Sequence, residues 1–177
     1  MSNGDLHVHT NVSDGMLSPE EVAHRAVAAS LGFISVTDHN SLGGLRRAGQ
    51  ALPQDRVRFI SGVELTAQPE DEREIHLLGY GIDPDCEELK EVCREITRCK
   101  KEQLREMVRR LQYDGVDIDL PSLSLEDEEG YAGRPLLAQE LVSRGVVVDL
   151  NQAFGRYLGE NARAFVRMSR FEPRRCV

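Results

Sequence analysis

The sequence predicts an α/β fold, and three observations carry that prediction. Short runs rich in Val, Ile and Phe recur through the first 83 residues with helix-like stretches between the first three of them, a β-α-β-α-β rhythm. Helix start signals stand where the rhythm needs them, and chemistry-bearing side chains gather at the ends of the strand-like runs. Such a rhythm implies parallel strands joined by crossover helices.

Taken in order, DLHVHT opens as a short strand. Ser18 can cap the helix that follows, Pro19 suits its first turn, and Glu20 and Glu21 complement its dipole. Val22, Ala26 and Ala29 share one face, and Gly32 is a stop signal. FISVT (33–37) is a β-branched, aromatic strand leading into DHNS (38–41). SLGGLRRAGQAL reads as a second helix weakened by its glycines, and VRFISGVELT (57–66) and REIHLLGYGID (73–83) as two more strands. At about residue 85 the rhythm changes. A long amphipathic helix carries Leu89, Val92, Cys93, Ile96, Leu104, Met107, Val108 and Leu111 as a broken apolar stripe. Two shorter helices follow at 133–145 and 150–159, after an acidic, loop-like linker. The expected organisation is an α/β core over 1–85, a helical segment over 86–165 and an irregular basic tail over 166–177.

Composition narrows the function classes. The 177 residues are 40% hydrophobic and 29% charged, as in an ordinary globular chain. No apolar run approaches membrane-spanning length, and the N-terminus lacks the features of a signal peptide, so a soluble, cytoplasmic protein is expected. Cys86, Cys93, Cys99 and Cys176 match no zinc knuckle or redox pair and read as reduced thiols. Residues 1–88 carry 15 acids and 6 bases, and residues 89–177 carry 15 acids and 16 bases. The acidic half argues against a stable nucleic-acid surface and suits carboxylates gathered around cations, or an acidic solvated face.

Within that half, His7 and His9 flank a single valine. On a strand both imidazoles project to one face, as half of a metal site or as two solvent-facing polar groups. Asp14 lies in a natural SDG turn; Asp38 and His39 follow a strand and could be a cap with its neighbour. Glu64 sits in an apolar run, where an unpaired carboxylate is costly. His76 is flanked by Ile75 and Leu77 and could be a core histidine, while His24 reads as a structural histidine and no ligand. Together, imidazoles and carboxylates at the ends of successive strands form a mixed N/O site for Zn, Mn or Fe. A multinuclear site of that kind needs no serine or cysteine nucleophile.

The motifs DLHVHTNVSDG, VTDHNSLGG, ISGVEL and IHLLGYGID, in that order and spacing, resemble the polymerase and histidinol phosphatase (PHP) superfamily. More narrowly, they resemble its small bacterial phosphoesterases that act on nucleotides. The resemblance is close over residues 5–83 and looser to about residue 165. It implies the N-terminal part of a distorted (β/α)7 barrel followed by a helical insertion that caps the site. It implies up to three divalent cations, manganese, zinc or iron, and hydrolysis of nucleotide or nucleoside bisphosphate phosphomonoesters through a metal-bound hydroxide. Carried over by position, His7 and His9 would hold one cation and Glu64 would bridge to a second, held also by His76. Asp14 and His39 would belong to a third site. Asp38 would be a catalytic proton donor or an outer-shell orienter, and Arg134, in GRP, a phosphate contact.

Two departures from the family pattern set a second reading. Residue 136 is Leu where the resemblance leads one to expect a metal-binding histidine, and no histidine follows His76. The chain reaches Val177 where the second barrel half would begin, so that half is expected to be missing, by truncation or a shifted frame. An unclosed half exposes sheet edges, so the expectation is either an open sheet or self-association through the open barrel edge. The alternative function is therefore a non-catalytic metal-binding or interaction remnant of the family.

Overall fold

The computed structural model describes residues 3–53, 55–70, 73–123, 125–127 and 130–177. The chain packs as two compact units, residues 1–96 with 170–177, and residues 97–169. The change of rhythm at residue 85 coincides with the start of a long helix, whereas the units divide inside that helix.

In the first unit the elements run β1 (Gly4–Val8), α1 (Pro19–Ala28), β2 (Phe33–Val36), α2 (Leu45–Ala51), β3 (Arg58–Ala67) and β4 (Ile75–Tyr80), before α3 (Glu87–Tyr113) begins. The start of α1 is set by a capping box: Ser18 accepts from the backbone N–H of Glu21, and Glu21 accepts from that of Ser18. The four strands form one curled sheet, a half-barrel, in the order β1-β2-β3-β4. β1–β2 and β2–β3 are parallel, with Val8 opposite Val36 and Ile34 opposite Phe59.

The expected parallel pairing holds for β1–β3; β4, which lies outside the β-α-β-α-β rhythm, runs antiparallel to β3. Only seven residues separate the two strands, too few for a crossover helix, so the chain must double back. Thr66 near the end of β3 therefore pairs with His76 near the start of β4. The reversal brings His76 to the same edge as the ends of β1, β2 and β3.

Strand alternation then divides the sheet into two faces. Ile34, Val36 and Val57 pack with Val22, Ala23 and Ala26 of α1 and Leu45 and Ala48 of α2, with Val8 and Phe59 against them. The opposite face carries His7, Ser35, Thr37, Glu64, Thr66 and His76. The last residues of the chain return to this unit. Gln68 and Phe171 exchange backbone hydrogen bonds of 2.9 Å in both directions, Phe171 is buried, and Arg175 stacks on its ring and pairs with Glu95.

The second unit is helical: the rest of α3, α4 (Arg134–Ser143), α5 (Leu150–Ala153) and an adjoining π turn over Phe154–Leu158. Its core gathers Leu104, Met107, Val108 and Leu111 of α3 with Leu137, Ala138 and Leu141 of α4 and with Leu158. Among the described residues, no helix is long and apolar enough to cross a membrane.

Candidate metal centre

The site is assembled at one edge of the sheet by backbone devices close to the strand ends. β1 is followed by a loop that Thr10, fully buried, turns back: its carbonyl accepts from the backbone N–H groups of Ser13 and Gly15. Gly15 is required there, because a Cβ at that position would stand 2.3 Å from the carbonyl oxygen of His9. After β2, His39 bridges to Glu64, and the Asn40 N–H donates to the Glu64 carbonyl at 2.9 Å. Asn40 takes the left-handed backbone conformation, φ +51°, which asparagine tolerates better than most residues. Its side chain bonds Thr66 through both amide atoms, pinning this loop to β3.

Six side chains that the sequence singled out converge at that edge. His7 Nε2 and His9 Nε2 lie 3.1 Å apart, and they stand 2.9 Å and 2.8 Å from the same oxygen, Glu64 Oε2. The other oxygen, Glu64 Oε1, lies 2.8 Å from His76 Nδ1. His39 sits between, its Nδ1 3.7 Å from Glu64 Oε2 and its Nε2 3.6 Å from Asp14 Oδ2. Asp14 Oδ1 accepts from His9 Nδ1 at 2.7 Å. Three sets of donor atoms thus lie within 4.8 Å of one another: His7, His9 and Glu64; His9, Asp14 and His39; His39, Glu64 and His76.

These donors fit divalent cations. Two imidazole nitrogens 3.1 Å apart can share one proton at most, so lone pairs converge there. The triangle of His7, His9 and Glu64 has edges of 2.8–3.1 Å. Adjacent donors around an ion with bonds near 2.1 Å are separated by roughly 3.0–3.4 Å, depending on coordination geometry. Neutral imidazole with carboxylate is also the donor chemistry that Zn, Mn and Fe accept.

Burial and hydrogen bonds shift the protonation of these groups. Burial opposes the charging of His9, but hydrogen bonds to Asp14 and Glu64 outweigh it and push the pKa up to about 9. The Glu64 hydrogen bond, then that of Glu74, raises His76 to about 9 against the effect of burial. For Glu64, burial favours the neutral form, yet hydrogen bonds from His76, His9 and His7 hold its carboxyl well below the usual range. Asp14 is likewise lowered, its burial outweighed by the His9 hydrogen bond and by the His39 and His9 charges. His39, the most enclosed ring, is lowered by burial despite Glu64 and Asp14.

Asp38 stands one layer deeper and is 1% exposed. Its Oδ1 accepts from the Thr10 N–H at 2.7 Å and the Ser13 hydroxyl at 2.6 Å, and its Oδ2 from the Thr10 hydroxyl at 2.7 Å. These partners are the loop that carries His9 and Asp14. Arg134 opens α4 in the second unit, its guanidinium 5.6 Å from the centre of the Phe165 ring. Leu136 packs against the core of the same unit. His24 is exposed on α1.

Sequence reasoning missed Thr10, Ser13 and Glu74. Thr10 and Ser13 act through a contact to Asp38 more than twenty residues away, for which sequence gives no local signal. Glu74 had one: Glu74-Ile75-His76 repeats the spacing of His7-Val8-His9, and Glu74 Oε1 lies 3.3 Å from His76 Nε2.

Several known proteins are similar to this chain. A 3',5'-nucleoside bisphosphate phosphatase of Chromobacterium violaceum is 33% identical over 159 residues, 89% of this chain and 55% of its own length. A 5'-3' exoribonuclease of Haemophilus influenzae is 32% identical over 164 residues, 92% of this chain and 59% of its own length. A solved structure of an amidohydrolase from Chromobacterium violaceum, with bound sulfate and no metal, superposes with a TM-score of 0.82 at 30% identity. That match covers 96% of this chain and 60% of the other. The chain therefore spans just over half the length of the curated relatives it matches. The model of the PHP domain matches residues 5–159, and with most of the chain inside that match, the chain belongs to the PHP domain family.

Proposed function

We propose that the chain forms the cation-binding part of a metal-dependent phosphoesterase that hydrolyses phosphomonoesters of nucleotides or nucleoside bisphosphates. One observation carries the reading: Glu64 presents one carboxylate oxygen to His7 and His9 and the other to His76. A carboxylate so placed would serve two cations. His7, His9 and Glu64 would hold the first, Glu64 and His76 the second with His39 beside them, and Asp14 with His39 a third. Bound there, divalent cations supply Lewis acidity toward a phosphoryl oxygen and lower the pKa of water.

The remaining work falls to the chain itself. Asp38 fixes the loop after β1 through Thr10 and Ser13, so that His9 and Asp14 meet at 2.7 Å; its role is orientation. Asp14 keeps a hydrogen on Nδ1 of neutral His9, leaving Nε2 to face His7 and Glu64. Arg134 is proposed as the phosphate contact. A nucleotide-class substrate is favoured by the bisphosphate phosphatase and exoribonuclease relatives, and a tetrahedral oxyanion by the sulfate bound in the related amidohydrolase structure.

A second reading, a metal-binding module without turnover, is favoured by Leu136, which offers no donor atom and packs into the core of the second unit. Both readings are tested by metal content per chain, followed by phosphate release from 3',5'-nucleoside bisphosphates in the presence of manganese or zinc. Cation-dependent release that disappears in Glu64→Gln supports the enzyme. Bound cations without release support the module, and a chain that takes up no cation removes both.

A further inference from the structure

We infer that Glu74 is a positioning residue of the cation site, holding the His76 ring with its hydrogen on Nε2 so that Nδ1 offers its lone pair beside Glu64. The inference rests on the metal-dependent reading above and adds to it a residue that belongs to none of the three donor sets.

The geometry determines which nitrogen does what. His76 Nδ1 is 2.8 Å from Glu64 Oε1, on the side where Glu64 and His39 gather, while Nε2 is 3.3 Å from Glu74 Oε1. A neutral imidazole has one N–H and one lone pair. If the lone pair is to serve a cation beside Glu64 it is on Nδ1, so Nε2 carries the hydrogen, and Glu74 is its acceptor. The Glu74 side chain is 14% exposed and the His76 side chain 37%, so the carboxylate approaches the ring from its enclosed side while the ring itself stays reachable by water.

The same molecule contains the mirror case. His9 faces His7 and Glu64 with Nε2 and gives its Nδ1 hydrogen to Asp14 at 2.7 Å. The two histidines flank Glu64 with opposite nitrogens forward, each set by a carboxylate on the far side of the ring. Such outer partners fix ring orientation and raise ligand basicity. The backbone explains why Glu74 is available: it lies two residues before His76 as β4 begins, on the same side of the chain.

The test uses the whole chain and zinc as the probe. Zinc affinity is measured by competition with a chromophoric chelator for the wild type, Glu74→Ala, Glu74→Gln and His76→Ala. The site lost in His76→Ala is expected to weaken about 10–100-fold in Glu74→Ala. It should stay within a few-fold of wild type in Glu74→Gln, whose amide oxygen still accepts from Nε2–H. Nitrogen-15 spectra of the zinc-loaded wild type, which need no variant to fold, should show His76 protonated at Nε2 and zinc-bound at Nδ1.

Unchanged affinity in Glu74→Ala overturns the inference, as does zinc on Nε2. Equal losses in Glu74→Gln and Glu74→Ala also overturn it, because Glu74 would then be a ligand itself. A wild-type chain that binds no zinc overturns the metal reading and this inference together, and is told apart from the other outcomes by the wild type alone.

Discussion

The two faces of the half-barrel are made by the same strands and do opposite work. Toward α1 and α2, β2 presents Ile34 and Val36, and the face closes as a dry apolar layer. Toward the other side, β1, β3 and β4 present His7, Glu64 and His76, with imidazoles and carboxylates within hydrogen-bond distance of one another. On β3 the switch takes one residue, since Glu64 stands between Val63 and Leu65. The apolar face supplies rigidity and the polar face consumes it. A buried carboxylate such as Glu64 needs partners at fixed distances, and a packed layer behind it holds those distances.

Removing a donor from the polar face should have the largest effect. Glu64→Gln or His7→Ala should abolish cation-dependent phosphate release and lower cation affinity by more than the roughly 10–100-fold typical of outer partners. Circular dichroism should be unchanged, because neither side chain belongs to the apolar layer. Release that persists near wild-type levels would remove Glu64 from the site. On the apolar face the outcome should invert. Ile34→Ala deletes a side chain that is 3% exposed and should destabilise the protein by about 2–5 kcal/mol in urea unfolding. The folded fraction should still bind cations with little change. Between the faces lies Asp38, and Asp38→Ala, which strands Thr10 and Ser13, should cost about 1–3 kcal/mol and also weaken cation binding.

What could be read from sequence follows the same division. The strands and helices through residue 83 were legible because periods of 2 and 3.6 are local, and the capping box at Ser18 and Glu21 is local too. The direction of β4 lies outside the β-α-β-α-β rhythm, which reaches only β3. The seven-residue connection before β4 contained the answer. The place where the units divide leaves no sequence mark, since α3 continues through it. At the site, the ligand candidates were legible from the alternation of His7 and His9 and from a carboxylate in an apolar strand. Their supports were not. Thr10 and Ser13 reach Asp38 across distant sequence, and the one local mark of Glu74 is its spacing to His76, which repeats that of the opening motif.

The smallest expected effect distinguishes protons from cations as the agent that holds the polar face together. In the cation-free protein His9 and His76 are raised from an ordinary 6.5 to about 9. A group raised on folding contributes stability that is fully present below its unfolded value and is lost as pH rises through its folded value. Glu64 and Asp14 are lowered on folding, so their contribution is present above their ordinary values of 4.5 and 3.8 and fades only in more acid solution. The cation-free protein should therefore lose melting temperature progressively between pH 6.5 and 9, with the apolar face contributing nothing to the slope. A saturating divalent cation reverses the sign, because imidazoles must be deprotonated to bind it and apparent affinity rises with pH. Thermal melts from pH 6 to 8.5, with and without manganese, should accordingly diverge as pH rises. Parallel curves would mean that manganese and protons do not compete for the same imidazoles, and would separate the histidine cluster from cation binding.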